Sequence, residues 1–229
     1  MSQENTERLN KFLAFHLGVS RREADDLIVS GKVTVNGKDV QLGARVTEQD
    51  EIIVNNKPIS KKQGYTYIVL NKPVGYVCSR KKQGDSPTIY DLLPNDLHSL
   101  KTVGRLDRES SGLLLLSDDG DFNFKMTHPS FVKNKIYRAR LDKALEPLHQ
   151  QMINDFGVQL EDGGSKLTLE RLSDDRLDWE VTMHEGRNRQ IRRTFSALGY
   201  SVTKLHRLTF GSYILGDLKS GEFEKLNLL

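Results

Sequence analysis

Residues 104–112, GRLDRESSG, run directly into the leucines of 113–116. This stretch sets one carboxylate, Asp107, between Arg105 and Arg108, with a glycine at either end where the chain can turn tightly. Four consecutive leucines read as a short buried strand. A loop fixed to such a strand gives a reactive side chain rigid support. The flanking cations favour the ionised acid, the form that a nucleophile or base requires.

Working outward, residues 67–70 form a short apolar strand, and Asn71-Lys72-Pro73 reads as its turn. Residues 135–141 alternate as a strand, as do 167–172 and 179–183. The spacing predicts helices over 145–153 and 190–198, the second ended by Gly199. The acidic run Asp118 to Asp121 reads as a turn, because its ligand spacing does not fit a calcium loop. Residues 56–64, NKPISKKQG, have no apolar period and read as a linker.

Residues 6–55 read as a separate small module. Leu9, Phe12, Leu13 and Leu17 fall at helical spacing and Gly18 ends that helix. Ser20 and Glu23 make a capping box for a second helix, which Gly31 stops. Val33 and Val35 then alternate toward an Asn36-Gly37 hairpin, with Val40 on the return and a further strand over 52–54. The expected class is α+β: a small N-terminal α/β module, then from residue 65 to 229 a domain with a mixed, antiparallel-rich sheet.

Composition narrows the function. Hydrophobic residues make up 37% of the 229 and charged residues 28%, as in a soluble globular protein. No apolar run is long enough to span a bilayer and the polar start has no signal core, so a cytoplasmic protein is expected. Cys78 is the single cysteine, which excludes an internal disulfide and a cysteine-based zinc cluster. The histidines form no HExxH pair, and neither GxxxxGK nor GxGxxG occurs, so no metal and no nucleotide cofactor are expected. Net charge is only +3, yet residues 186–207 hold Arg187, Arg189, Arg192, Arg193, Lys204 and Arg207 with no acid. That stripe is either a solvated face or a surface for a phosphate-rich partner.

The pattern GRLDxxxxGLLLL resembles the catalytic motif of the pseudouridine synthases, most closely the RsuA-type ribosomal RNA branch. Lys135-Ile136-Tyr137 and residues 185–200, EGRNRQIRRTFSALGY, are similar to that family's second and third motifs, in the same order. The N-terminal helix pair with SRREA, followed by VTVNGK, resembles the S-four-type RNA-binding domain. The likeness runs over residues 6–226.

The resemblance implies an isomerase that converts uridine to pseudouridine in ribosomal RNA without a cofactor. Asp107 would be the catalytic aspartate, as nucleophile or as base. Arg105 would fill the space left by a flipped nucleotide, Tyr137 would stack on the uracil, and Leu205 would pack against the opposite face. Arg192 lies beside Ile191 and Phe195 on a half-buried helix face, and is expected to pair with Asp107. Lys135, Arg187, Arg189 and Arg193 are expected on the RNA. Arg8, Lys11, Arg21, Arg22, Lys32 and Lys38 would be the contacts of the small module. Cations at Arg21 and Arg22 oppose the dipole of the helix they start, which suits an anionic partner. The GRNRQIRR form leans toward large-subunit RNA, and nothing requires more than a monomer. Two rival classes stand beside the isomerase: a non-catalytic RNA-binding factor, and a hydrolase that would release free uracil.

Overall fold

Ser20 fixes the start of a helix through a reciprocal cap: its hydroxyl accepts from the Glu23 amide at 3.1 Å, and the Glu23 carboxylate accepts from the Ser20 amide at 2.6 Å. This cap belongs to the first of two compact units in a computed structural model that describes residues 6–81 and 83–226; the division falls between Thr66 and Tyr67. Helix α1 (Leu9–Leu17) ends on left-handed Gly18. Helix α2 (Arg21–Val29) ends where Gly31 takes φ 66° and the Lys32 amide returns to the Leu27 carbonyl.

The strands of this unit are β1 (Glu7–Arg8), β2 (Val33–Val35), β3 (Lys38–Asp39), β4 (Arg45–Val46), β5 (Ile52–Val54) and β6 (Lys57–Pro58). β1 pairs with β4, and the others form a sheet in the order β3-β2-β5-β6. Asn36 and Gly37, at φ 51° and 75°, make the tight hairpin between β2 and β3. Asn55 and Asn56 also lie at positive φ and fold β6 back on β5. The stretch 56–64, expected as a linker, therefore opens as an edge strand, where Pro58 is tolerated. The apolar faces of α1 and α2 close on Val33, Val46, Ile52 and Val54.

The second unit contains β7 (Tyr67–Lys72), β8 (Lys101–Val103), β9 (Ser111–Ser117), β10 (Lys135–Leu141), β11 (Val158–Leu160), β12 (Gly163–Ser165), β13 (Thr168–Arg171), β14 (Asp178–Met183), β15 (Val202–Phe210), β16 (Tyr213–Ile214) and β17 (Phe223–Lys225). Its helices are α3 (Gly120–Thr127), α4 (Pro147–Gln151) and α5 (Gln190–Ala197). The main sheet runs β13-β14-β10-β15-β9-β7-β17, with β16 beside β15 and β8 beside β9. Its named strands pair antiparallel except β15 with β9, which run parallel. The expected α+β class with an antiparallel-rich mixed sheet holds. Residues 227–229 of the expected second domain lie outside the described residues.

β9 explains the leucine run. Leu114 and Leu116 join the larger core with Trp179 and Phe195, while Leu113 and Leu115 join a second cluster with Val103, Met126 and Phe210. Both faces of the strand are covered, so no polar residue alternates with the leucines.

Three local readings need correction. Asn71 and Lys72 are the end of β7 and not a turn, because each pairs with β9. The Asp118 to Asp121 run starts a helix: Asp119 accepts from the amides of Asp121 and Phe122 at 2.9 and 3.0 Å. The helix expected over 145–153 begins at Pro147 and continues as a π-turn over Met152–Phe156, ended by Gly157 at φ 80°.

Candidate active site

The loop between β8 and β9 carries Asp107, and buried groups hold it from below. Lys72 is fully buried, and its ammonium donates to the carbonyls of Pro73 at 3.0 Å, Asp107 at 3.1 Å and Ser110 at 2.7 Å. All three of its protons are used on backbone, two of them on this loop. Burial pulls the Lys72 ammonium below its usual basic range. The Gly75 amide donates to the Arg108 carbonyl at 2.8 Å, and the Ser110 amide to the Asp107 carbonyl at 3.0 Å.

The strand seam beneath the loop demands a glycine. Gly112 pairs with Arg207 across the parallel β9–β15 junction. A Cβ on Gly112 would lie 2.3 Å from the Arg207 carbonyl oxygen and 2.5 Å from its nitrogen, and φ is 103°. No other residue fits.

Above the loop is a cavity of about 810 Å³. Asp107, Arg105, Lys135, Tyr137, Arg187, Arg189, Arg192 and Leu205 of the expected site line it, and Arg193 does not. Its wall holds two carboxylates, Asp107 and Glu185, against eight lysines and arginines. Such an excess of positive charge in a concave site concentrates anions.

Tyr137 and Leu205 reach the cavity from β10 and β15, and each is 7% exposed. Arg105 is exposed and makes no ion pair among the described residues. Lys135 donates to the Glu185 carbonyl at 3.0 Å and sits 5.2 Å above the Phe210 ring. Burial, with the neighbouring Arg207 charge, lowers its pKa to about 8.

The ion pair expected between Arg192 and Asp107 is not formed. Arg192 instead donates to the carbonyls of Val202 at 2.6 Å and Glu109 at 3.0 Å, and to the Ser110 hydroxyl at 3.3 Å. Arg189 is the arginine near the acid: its Nη1 lies 3.8 Å from Asp107 Oδ2 and 2.7 Å from Glu109 Oε2. The cause is the entry to α5. Arg189 takes a left-handed conformation at φ 47°, which turns its side chain toward the loop one residue before the helix begins. Helical spacing has no way to register that. The hydrogen bond from Arg189 holds the Glu109 carboxyl below its usual range.

Arg187 and Arg193, expected on RNA, are both engaged within the protein. Arg187 donates to Asp162 Oδ1 at 2.9 Å and to the Gly164 carbonyl at 2.7 Å. Arg193 grips Asp162 with two bonds, at 2.9 and 2.7 Å. Together they tie α5 to the β11–β12 hairpin, and Asp162 is the acid that the sequence stripe alone does not reveal. In the first unit Arg8, Arg21, Arg22, Lys32 and Lys38 are exposed and Lys11 is half-buried; Arg21 donates to Asn10 at 3.0 Å.

Two site residues escape sequence reasoning. Lys72 stands in an ordinary Asn-Lys-Pro string. Arg207 counts as one more charge of the basic stripe, yet it is only 2% exposed and lines the cavity. The one available signal is its place in LHRLTF, two residues from Leu205 on a strand.

Comparison with known proteins identifies the family and the fold. Residues 66–197 match the model of a family described as RNA pseudouridylate synthase, and residues 7–52 match the S4 domain. The chain is 37% identical over 228 residues to the ribosomal large subunit pseudouridine synthase B of Bacillus subtilis, covering 96% of this chain and 92% of that one. It is 38% identical over 228 residues to the ribosomal small subunit pseudouridine synthase A of Pasteurella multocida, covering 96% of each. A crystal structure of a pseudouridylate synthase superposes with a TM-score of 0.68 at 32% identity, covering 96% of each chain.

Proposed function

Since the chain belongs to the RNA pseudouridylate synthase family, we propose that it converts one or more uridines of ribosomal RNA to pseudouridine, with Asp107 as the reactive carboxylate. The observation that carries this reading is the setting of Asp107. It stands on a loop pinned by a buried lysine, at a cavity that it shares with Tyr137 and Leu205.

Isomerisation breaks the bond between ribose C1′ and uracil N1, turns the free base within the site and joins C1′ to C5. The proton on C5 is lost and N1 gains one, so no oxidant and no energy source is consumed. Asp107 either attacks C1′ or removes a proton from the sugar, and Arg189 stands 3.8 Å from its carboxylate in either role. Tyr137 and Leu205 supply an apolar slot for a flipped base, and a stacked ring offsets part of the unstacking cost of a few kcal/mol. Arg105, exposed at the cavity and without an ion-pair partner among the described residues, fills the space that the base leaves in the RNA.

Arg187, Arg193 and Arg192 hold α5 and the loop, and Lys135 and Arg189 face the RNA at the cavity. The first unit adds phosphate contacts through its exposed arginines and lysines, so affinity falls with salt. The protein works as a monomer, in the cytoplasm, where ribosomal RNA is matured. Large-subunit RNA is the first target to test, on the GRNRQIRR form; relatives carry both large- and small-subunit names.

The deciding experiment maps pseudouridine in both ribosomal RNAs from cells with and without the protein, rescued by wild type or by Asp107→Asn. A modification that disappears and that only the wild type restores supports the reading and names the nucleotide. An unchanged map overturns the ribosomal assignment.

A further inference from the structure

Arg207 is a buried cation without a counterion. Its Nε donates to the Leu113 carbonyl at 2.7 Å, and its Nη1 approaches the Tyr137 hydroxyl at 3.5 Å. Its Nη2 is buried and has no partner. The guanidinium lies 5.0 Å from the Phe210 ring centroid and 6.0 Å from that of Tyr137. No carboxylate lies within 4 Å of it among the described residues. A buried charge is costly unless it is paired. Here the neighbouring charges are the ammonium groups of Lys72 and Lys135, which worsen the cost. The fold retains a buried positive charge at the cavity with which no carboxylate pairs among the described residues.

The proposed reaction creates the missing anion. When C1′–N1 breaks, the electron pair leaves on the base, whether Asp107 forms a bond to C1′ or takes the C2′ proton. The detached uracil is then an anion, with its charge shared over N1 and the two ring oxygens, until C5 attacks C1′. It must remain in the site while it turns.

We propose that Arg207 is the positioning residue that holds the detached uracil as an anion, through its unneutralised charge and through the Tyr137 hydroxyl beside it. This inference rests on the isomerase reading. Its charge acts from a buried position, where fixed charges stabilise a developing anion more effectively than they do in water.

The test compares wild type, Arg207→Met, Arg207→Gln and Arg207→Lys on two in vitro transcripts of the same unmodified ribosomal RNA, one with uridine and one with 5-fluorouridine. Single-turnover rearrangement is read by mass spectrometry of the nucleosides, and thermal melting confirms that each variant is folded. Fluorine makes the departing base a better leaving group, so it depends less on outside stabilisation. Arg207→Met is expected to slow the uridine reaction on the order of 10²-fold, in line with loss of one anion-stabilising donor, and the 5-fluorouridine reaction clearly less. Arg207→Lys, which keeps the charge, is expected to recover much of the loss. Arg207→Gln replaces Arg207→Met as the neutral variant if the latter does not fold. Equal slowing of both transcripts, or no slowing, overturns the proposal. If wild type rearranges neither transcript, the isomerase reading itself fails, a result distinct from any behaviour of the variants.

Discussion

Replacing Lys72 with methionine separates two jobs that the buried ammonium performs. The side chain keeps similar length and fills the same space, but the carbonyls of Pro73 and Ser110 lose this donor and that of Asp107 keeps only the Ser110 amide. Leaving buried acceptors unmade costs about 1–3 kcal/mol each, while removing a buried charge returns several kcal/mol. The two terms largely offset each other, so the unfolding free energy is expected to change by no more than about 3 kcal/mol. The effect on turnover is separate. Two of the three bonds end on the 107–110 loop, and a displacement of about 1 Å in a reacting group costs roughly 10²-fold in rate. The assay is urea denaturation together with single-turnover pseudouridine formation, the latter well below the unfolding transition. A folded variant that keeps wild-type turnover would refute the argument that Lys72 places the Asp107 loop.

Other perturbations test separate parts of the structure. Gly112→Ala drives a methyl into the Arg207 backbone, and melting should show a loss of about 3 kcal/mol or more; a change under about 1 kcal/mol contradicts the seam geometry. Lys135 has a folded pKa of about 8 against a usual 10.5, so between these values the unfolded chain binds more protons than the folded one. Its contribution to stability therefore rises with pH across that window. The stability difference between wild type and Lys135→Met should drift in favour of wild type from pH 8 to 10.5, and a flat difference rejects this assignment. Arg21→Ala with Arg22→Ala should weaken ribosomal RNA binding and reduce the salt slope by roughly 1 to 2, measured by filter binding at several salt concentrations; an unaltered slope removes both from the RNA surface.

Much of the fold is written in local chemistry. The Ser20 and Glu23 cap, the Asn36-Gly37 hairpin and the leucines of β9 each state their conformation within a few residues. Elements are misread where a local signal has two meanings. Asp119 caps a helix with the same residues that would make a turn, and Lys72 ends a strand although it stands before proline. At the site, sequence supplies several of the residues that line the cavity but neither Lys72 nor the pairing of the arginines. Arg192 is half-buried as its helical position implies, yet its partners are backbone carbonyls. Arg189 takes the place beside Asp107 because of one left-handed residue. Asp162 absorbs two arginines from 25 and 31 residues away, a separation that charge patterning does not bridge.

The parallel seam between β9 and β15 has a consequence for when this protein can become active. Contacts that close the cavity over it join residues far apart in the chain: Arg189 to Glu109 at a separation of 80, Arg192 to Ser110 at 82, Arg207 to Leu113 at 94 and Ser111 to His206 at 95. The entropy of closing such long loops must be met before any of these contacts stabilises the chain, so they form late in folding. During synthesis the Asp107 loop emerges about a hundred residues before the strand that completes its surroundings. A nascent chain therefore presents Asp107 before the strand that completes the cavity around it has been made.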